Sequence, residues 1–321
     1  MLEVRSRLVL SVSVLVGIEI GLGGLGVWGA SAQPASAPTS QPADAYAVAG
    51  AARRAAGIET WMFIRPTWIG WRPSHFTSPY ARQVLDGYLL IMVDGDQDAG
   101  LTAGAKAASY ILKSGMRLVP GMRLGPKREY EEWTDPVTWT KDLEFYRRIE
   151  RQFGLTESAP FVVDMEAYWD KQPRYPRTDD VYAMTLAMGE WLDVAKRTEM
   201  WILPGGVHYW NSWILASVRV RHGPVHILDE ATYSRFKGDD ERLMEVITER
   251  KKFMESLGMD YAPGFYLRHA VDPTLYRLLK DCGIRRCWFF CAADADEWEW
   301  FGTGRWRHAR QARATLQPPS R

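Results

Sequence analysis

The chain has 321 residues, with 40 Lys plus Arg against 39 Asp plus Glu and a formal net charge of +1. So even a balance leaves no electrostatic footprint for nucleic acid or for a polybasic membrane contact, which excludes both as partners. The cysteines Cys282, Cys287 and Cys291 crowd near the C-terminus, and the last two, four apart on an expected strand, lie about 13 Å from each other and cannot pair. They read as buried thiols, not as a disulfide scaffold.

The N-terminus reads as a leader. Arg5 and Arg7 precede an apolar stretch from Leu8 to Val27, and Ala30-Ser31-Ala32 supplies a small-x-small cleavage site, so residues 1–32 are expected to be a signal peptide and the product secreted or periplasmic. Glu19 and several glycines inside the stretch argue against stable membrane insertion, with an uncleaved anchor as the alternative. Residues 33–43 are Pro, Ser, Thr, Ala and Gln with little else, a disordered tether. Residues 44–321 then form one domain.

Within that domain, short apolar runs alternate with amphipathic stretches. The runs are Thr60–Arg65, Tyr88–Val93, Arg117–Met122, Phe161–Glu166, Met200–Pro204, His226–Ala231, Tyr261–Leu267 and Cys287–Ala292. Asp135-Pro136, Thr178-Asp179-Asp180 and Gly238-Asp239-Asp240 mark helix starts between them, and Gly258 a helix end. Alternation of this kind gives βα units and a parallel sheet, and strands apolar on both faces need helices on every side. The turn after the first run, Pro66 to Trp71, lacks the Gly-rich phosphate loop of an open dinucleotide-binding sheet. The expected fold is therefore α/β, a single-domain (β/α)8 TIM barrel. Asp44 to Gly57 reads as an extra helix covering the barrel's bottom.

Function in such a barrel gathers where strands end and βα loops begin. Those positions deliver Arg65 and Trp68 after strand 1, Asp94 after strand 2 and Arg123 at strand 3. Strand 4 delivers Asp164, Glu166 and Trp169, strand 5 Trp210, and strand 6 Asp229, Glu230 and Tyr233. Tyr266 and Arg268 follow strand 7, Asp294 and Trp298 strand 8. Indole faces stack on sugar rings while acids and arginines bond hydroxyls, so this mixture suits a carbohydrate. The competing reading is of loop residues packing on one another.

Asp164 and Glu166 close strand 4 two residues apart, so both side chains leave on one face. Adjacent carboxylates resist ionising together, which raises the proton affinity of one of them and equips it as a general acid. From a single strand they cannot flank a sugar from opposite sides. A two-carboxylate displacement would draw its second member from elsewhere, whereas substrate-assisted hydrolysis would use Glu166 as acid and Asp164 to orient a 2-acetamido nucleophile.

The segment Val163-Asp164-Met165-Glu166-Ala167-Tyr168-Trp169 resembles the strand 4 ending of barrel glycoside hydrolases of the chitinase and hyaluronidase type. Asp294-Ala295-Asp296-Glu297-Trp298 is similar to the strand 8 ending of chitinase barrels. The resemblance implies hydrolysis of a glycosidic bond with Glu166 as proton donor. It breaks at Ala159 and Val162, where the chitinase pattern has aspartates, and at Ala167, where hyaluronidases have an acid. Asp229 and Glu230 keep open a second arrangement, similar to barrel α-galactosidases, with Asp164 as nucleophile and a strand 6 acid.

No cofactor or metal is expected. Asp94 to Gly100 approaches a calcium loop, but its Gly falls one residue late and Ala105 replaces the bidentate acid. His222 and His226 are separated by Gly223-Pro224, which breaks any helix that would align them. Arg65, Arg123 and Arg268 either neutralise the site's own acids or bind an acidic polysaccharide. The sequence thus points to a secreted glycoside hydrolase acting on a carbohydrate substrate, acidic or N-acetylated, with a barrel that binds sugar without cleaving it as the alternative.

Overall fold

A computed structural model describes residues 42–66, 76, 78–92, 97–123, 136–164, 193, 195–204, 223–229 and 239–290. Eight parallel strands close into a barrel in sequence order. In chain order the elements are α1 (Pro42–Ala56), β1 (Glu59–Ile64), α2 (Pro79–Val84), β2 (Gly87–Met92), α3 (Gln97–Lys113) and β3 (Arg117–Arg123). They continue with α4 (Pro136–Phe153), β4 (Phe161–Asp164), β5 (Met200–Leu203), β6 (Val225–Asp229) and α5 (Asp240–Ser256). β7 (Asp260–Tyr266), a 3-10 turn (Leu267–Val271), α6 (Pro273–Asp281) and β8 (Arg286–Phe290) complete the described chain. The last pairing, β1 with β8, aligns Trp61 with Trp288 and closes the sheet.

Strand alternation divides the apolar residues into two cores. Trp61, Phe63, Leu89, Ile91, Val119, Val162, Trp201, Leu203, Leu228, Ala262 and Trp288 fill the barrel interior. The other parity, with Met62, Leu90, Met122, Val163, Ile202, Ile227 and Phe289, packs outward against the helices. Three indoles fit inside because glycines stand beside two of them. Gly87 is the register partner of Trp61 and Gly264 that of Trp288, and a Cβ on either glycine would overlap the ring. These three tryptophans are core, filling the layers that side chains normally occupy in such barrels.

The helix starts follow from local chemistry. Asp239 caps α5 by accepting the Arg242 amide at 2.9 Å, and Gly258 leaves that helix at φ 69°. Pro136 opens α4 and Pro273 opens α6, the latter capped by Asp272 on the Thr274 amide. Cys282 and Cys287 are free and buried, with Cys287 on the outward face of β8. Among the described residues, no helix is long and apolar enough to cross a membrane.

The helix before β1 departs from expectation. α1 does not cover the bottom. It packs in the ring of helices between α6 and α2, over the seam where β8 meets β1, and also touches the 3-10 turn at the top of β7. That is the place usually taken by the helix after β8. Tyr46 and Ala49 are wholly buried there, and Arg53 donates to the Ile58 carbonyl and to Asp86. α1 therefore runs from rim to base, about 22 Å at 1.5 Å per residue, before Gly57 at φ 68° turns the chain into β1.

Candidate functional site

Strand direction puts the C-terminal ends of β1, β3, β4 and β7 on one rim. Asp164 is the last residue of β4, shares the interior parity of Val162, and is fully buried. Arg65 follows β1 on the parity of Trp61 and Phe63. It reaches across the interior to place Nη2 2.5 Å from Asp164 Oδ2. Arg123, the register neighbour of Asp164 across the β3–β4 pair, holds Nε 3.8 Å from the same oxygen. All three side chains are essentially dry, at 2% exposure or less. Two arginines and an aspartate thus form an ionic layer resting on the apolar barrel interior.

Such a layer is expensive. Removing a carboxylate and a guanidinium from water costs several kcal/mol per ion, recovered only through close pairing. Arg65 achieves that pairing, so for this residue the reading in which arginines neutralise the site's own acid describes the geometry. Burial also constrains chemistry: Asp164 has no exposed surface, which suits an orienting charge better than a nucleophile that must meet a sugar carbon. Tyr266 and Arg268 lie at the end of β7 and just after it, both half-buried, with the Arg268 guanidinium 4.7 Å above the Tyr266 ring.

Asp229 is placed elsewhere. It closes β6 on the parity of Val225 and Ile227, which face the helices. There it accepts Arg250 Nη1 of α5 on both oxygens, at 2.7 and 2.8 Å, and the Tyr261 hydroxyl at 2.7 Å. Burial pushes the Tyr261 phenol well above its ordinary value, and the Asp229 carboxylate pushes it further, so the tyrosine is a fixed donor. The expectation that Asp229 serves at the mouth is corrected by this face: it ties a strand to its helix.

The remaining candidates, Glu166, Glu230, Trp68, Asp94, Trp169, Trp210, Tyr233, Asp294 and Trp298, lie outside the described residues. Among the described residues, no group of three or more His, Cys, Asp and Glu side chains could hold a metal ion.

Sequence reasoning missed a second ionic cluster at the opposite end. Around the strand starts, Arg286 pairs with Glu59 at 2.5 Å and Arg117 pairs with the same carboxylate. His226 lies 3.1 Å from Glu199 and 3.0 Å from Asp260. Arg286 stacks 4.5 Å over Trp201 and Arg117 4.7 Å over Trp61. The signal was available: charged residues stand at or just before the first position of β1, β3, β5, β7 and β8. The N-terminal face of such barrels is the one associated with stability.

No family model matches this chain, and no curated protein matches it. Solved structures do match in fold. The protein ZgEngAGH5_4 is 12% identical with a TM-score of 0.53, the match covering 83% of this chain and 98% of that one. A glycoside hydrolase family 5 enzyme from Prevotella bryantii is 11% identical with a TM-score of 0.49, over 76% of this chain and 90% of that one. A D-allulose 3-epimerase from Methylomonas sp. is 12% identical with a TM-score of 0.46, over 77% and 94%. At these identities the likeness concerns the (β/α)8 fold alone, and a fold by itself does not fix a function.

Proposed function

We propose that this protein is an exported glycoside hydrolase whose Glu166 is the general acid and whose Asp164 is its orienting partner. The observation carrying the reading is Asp164 itself, a wholly buried carboxylate at the mouth end of β4, gripped by Arg65 and neighboured by Arg123. Asp164 is occupied by its guanidinium partner, which leaves the role of proton donor to Glu166 two residues on. The burial of Asp164 argues against displacement by its own carboxylate and leaves the substrate-assisted route, with Asp164 acting through Glu166 and not directly on the sugar. In that route Glu166 protonates the leaving oxygen while a 2-acetamido carbonyl attacks the anomeric carbon. With Asp229 committed to Arg250, the strand 6 acid for a two-carboxylate mechanism would be Glu230.

Trp68, Trp169, Trp210, Tyr233, Tyr266 and Trp298 would stack the sugar rings, and Asp94, Arg268 and Asp294 would bond their hydroxyls or acidic groups, while Arg123 stays with the buried Asp164. The test is a hydrolysis screen on acetamido and uronic polysaccharides, followed by Glu166→Gln on whichever is cleaved. We expect the rate to fall about 10²–10⁴-fold with binding retained. A wild-type rate in that variant would move the acid elsewhere. Binding to a glycan panel without cleavage by the wild type would favour the non-catalytic barrel.

A further inference from the structure

Arg65 and Asp164 come from strands that do not touch. β2 and β3 stand between β1 and β4 in the closed order, so only a long side chain running through the interior joins them. Arg65 does so with 1% of its side chain exposed, and Asp164 with none. The footing of this strap is aromatic. The guanidinium carbon lies 5.3 Å from the ring centroid of Phe63, two residues earlier on the same parity. Phe63 in turn packs against Trp288 and Phe290 of β8, at centroid distances of 5.5 and 6.1 Å. A line of contacts therefore runs from β8 through β1 to the carboxylate that closes β4.

With so little surface, neither side chain meets a sugar directly. Of the two arginines beside Asp164 Oδ2, Arg65 is the one bonded to it, at 2.5 Å, while Arg123 Nε stands at 3.8 Å, beyond hydrogen-bond reach. A guanidinium is a planar fork with fixed directions, whereas a lysine ammonium is a point charge on a flexible stem. The direction of the Asp164 carboxylate is thus set from across the barrel by the shape of Arg65 as well as by its charge.

We propose that Arg65 is a positioning residue for hydrolysis: it acts on turnover through Asp164, and takes no part in binding the sugar. This role rests on the reading of Glu166 as the acid and Asp164 as its partner. Its size follows from geometry, since a misplacement of about 1 Å near a reacting centre costs up to about 10²-fold in rate. Its signature is a fall in kcat without a rise in KM.

Steady-state kinetics test it, on whichever of chitin oligosaccharides, hyaluronan and polygalacturonate is cleaved. Wild type is compared with Arg65→Lys, Asp164→Asn and the double variant, each first shown to be folded by urea unfolding. Arg65→Lys keeps the charge and loses the fork, so kcat should fall about 10–100-fold with KM within about twofold of wild type. In the Asp164→Asn background the same change should cost less than about threefold more, because residues that act as a unit are not additive. Losses that multiply in the double variant overturn the proposal. So does a raised KM at unchanged kcat, which would make Arg65 a sugar contact. If Asp164→Asn does not fold, the split between kcat and KM in Arg65→Lys decides alone. If Arg65→Lys does not fold, Phe63→Leu removes only the footing and must lower kcat at unchanged KM; an unchanged kcat overturns the role. Glu166→Gln, run alongside, separates the two claims. A wild-type rate there overturns the reading of Glu166, whereas a large loss there beside an unaffected Arg65→Lys overturns the role of Arg65 alone. A wild type that cleaves none of the three overturns both.

Discussion

The two ends of this barrel hold their charges differently. At the mouth, Asp164 and two arginines are sealed from water on top of the apolar interior, with exposures of 2% or less. At the base, Glu59 and Arg286 keep about a quarter of their side chains exposed, Asp260 and Arg117 more than half, and each ion has several partners. A dry cluster fails when one member is removed, because the others are left charged and unsolvated. A wet one loses little, because water replaces the missing partner. The base is redundant and cushions the strand starts. The mouth is brittle, and brittleness tolerated at one site is a reason to look for chemistry there.

The sharpest break would come from the backbone beneath the mouth cluster. Gly121 lies in β3 where a Cβ would overlap the Val162 carbonyl oxygen of β4. Gly121→Ala should split the β3–β4 pairing that sets Arg123 beside Asp164, and we expect no soluble folded protein in an expression assay. Next in size is Asp164→Ala, which strands buried guanidiniums and should cost about 3–5 kcal/mol in urea unfolding. Asp229→Ala removes one partner of a part-buried pair on the helix side and should cost about 1.5–3 kcal/mol. It should leave hydrolysis of any cleaved substrate unchanged, and a catalytic loss of a hundredfold would restore Asp229 to the mouth.

Smallest is Glu59→Gln at the base, expected to cost about 1 kcal/mol or less near neutral pH. Burial raises the proton affinity of Glu59, but Arg286 and Arg117 outweigh it and hold the carboxyl below its usual value of 4.5. Its contribution is therefore present above about pH 4.5 and lost only in stronger acid. A base as costly to disturb as the mouth, measured by Glu59→Gln against Asp164→Ala, would dissolve the contrast.

Much of this was legible in the sequence, and the exceptions share a cause. Strand positions emerged within a residue or so at the described ends, because short apolar runs bounded by caps and glycines such as Asp239 and Gly258 leave little freedom. The pointing direction of Asp229 did not emerge. On a strand apolar on both faces, alternation carries no polarity signal, so the interior and the helix side of β6 look alike. Nothing local distinguishes Asp164, on Val162's parity, from Asp229, on Ile227's. The base network was illegible for another reason: Glu59, Glu199, Asp260 and Arg286 read singly as ordinary charges flanking strands, and only closure brings them together. The place of α1 was hidden too, since an amphipathic helix before the first strand fits either the bottom or the ring.

That place has a consequence in time. α1 precedes every strand of the barrel in the chain, yet α6, against which it packs, comes only after β7. Its apolar side, Tyr46 and Ala49, has no complete seat until α6 has been added, up to Asp281. Contacts so distant along the chain are slow to form, because the intervening loop must be closed before they repay it. The barrel therefore cannot finish as it is synthesised; the seam between its oldest and newest strands shuts only at the end, with α1 as the bolt.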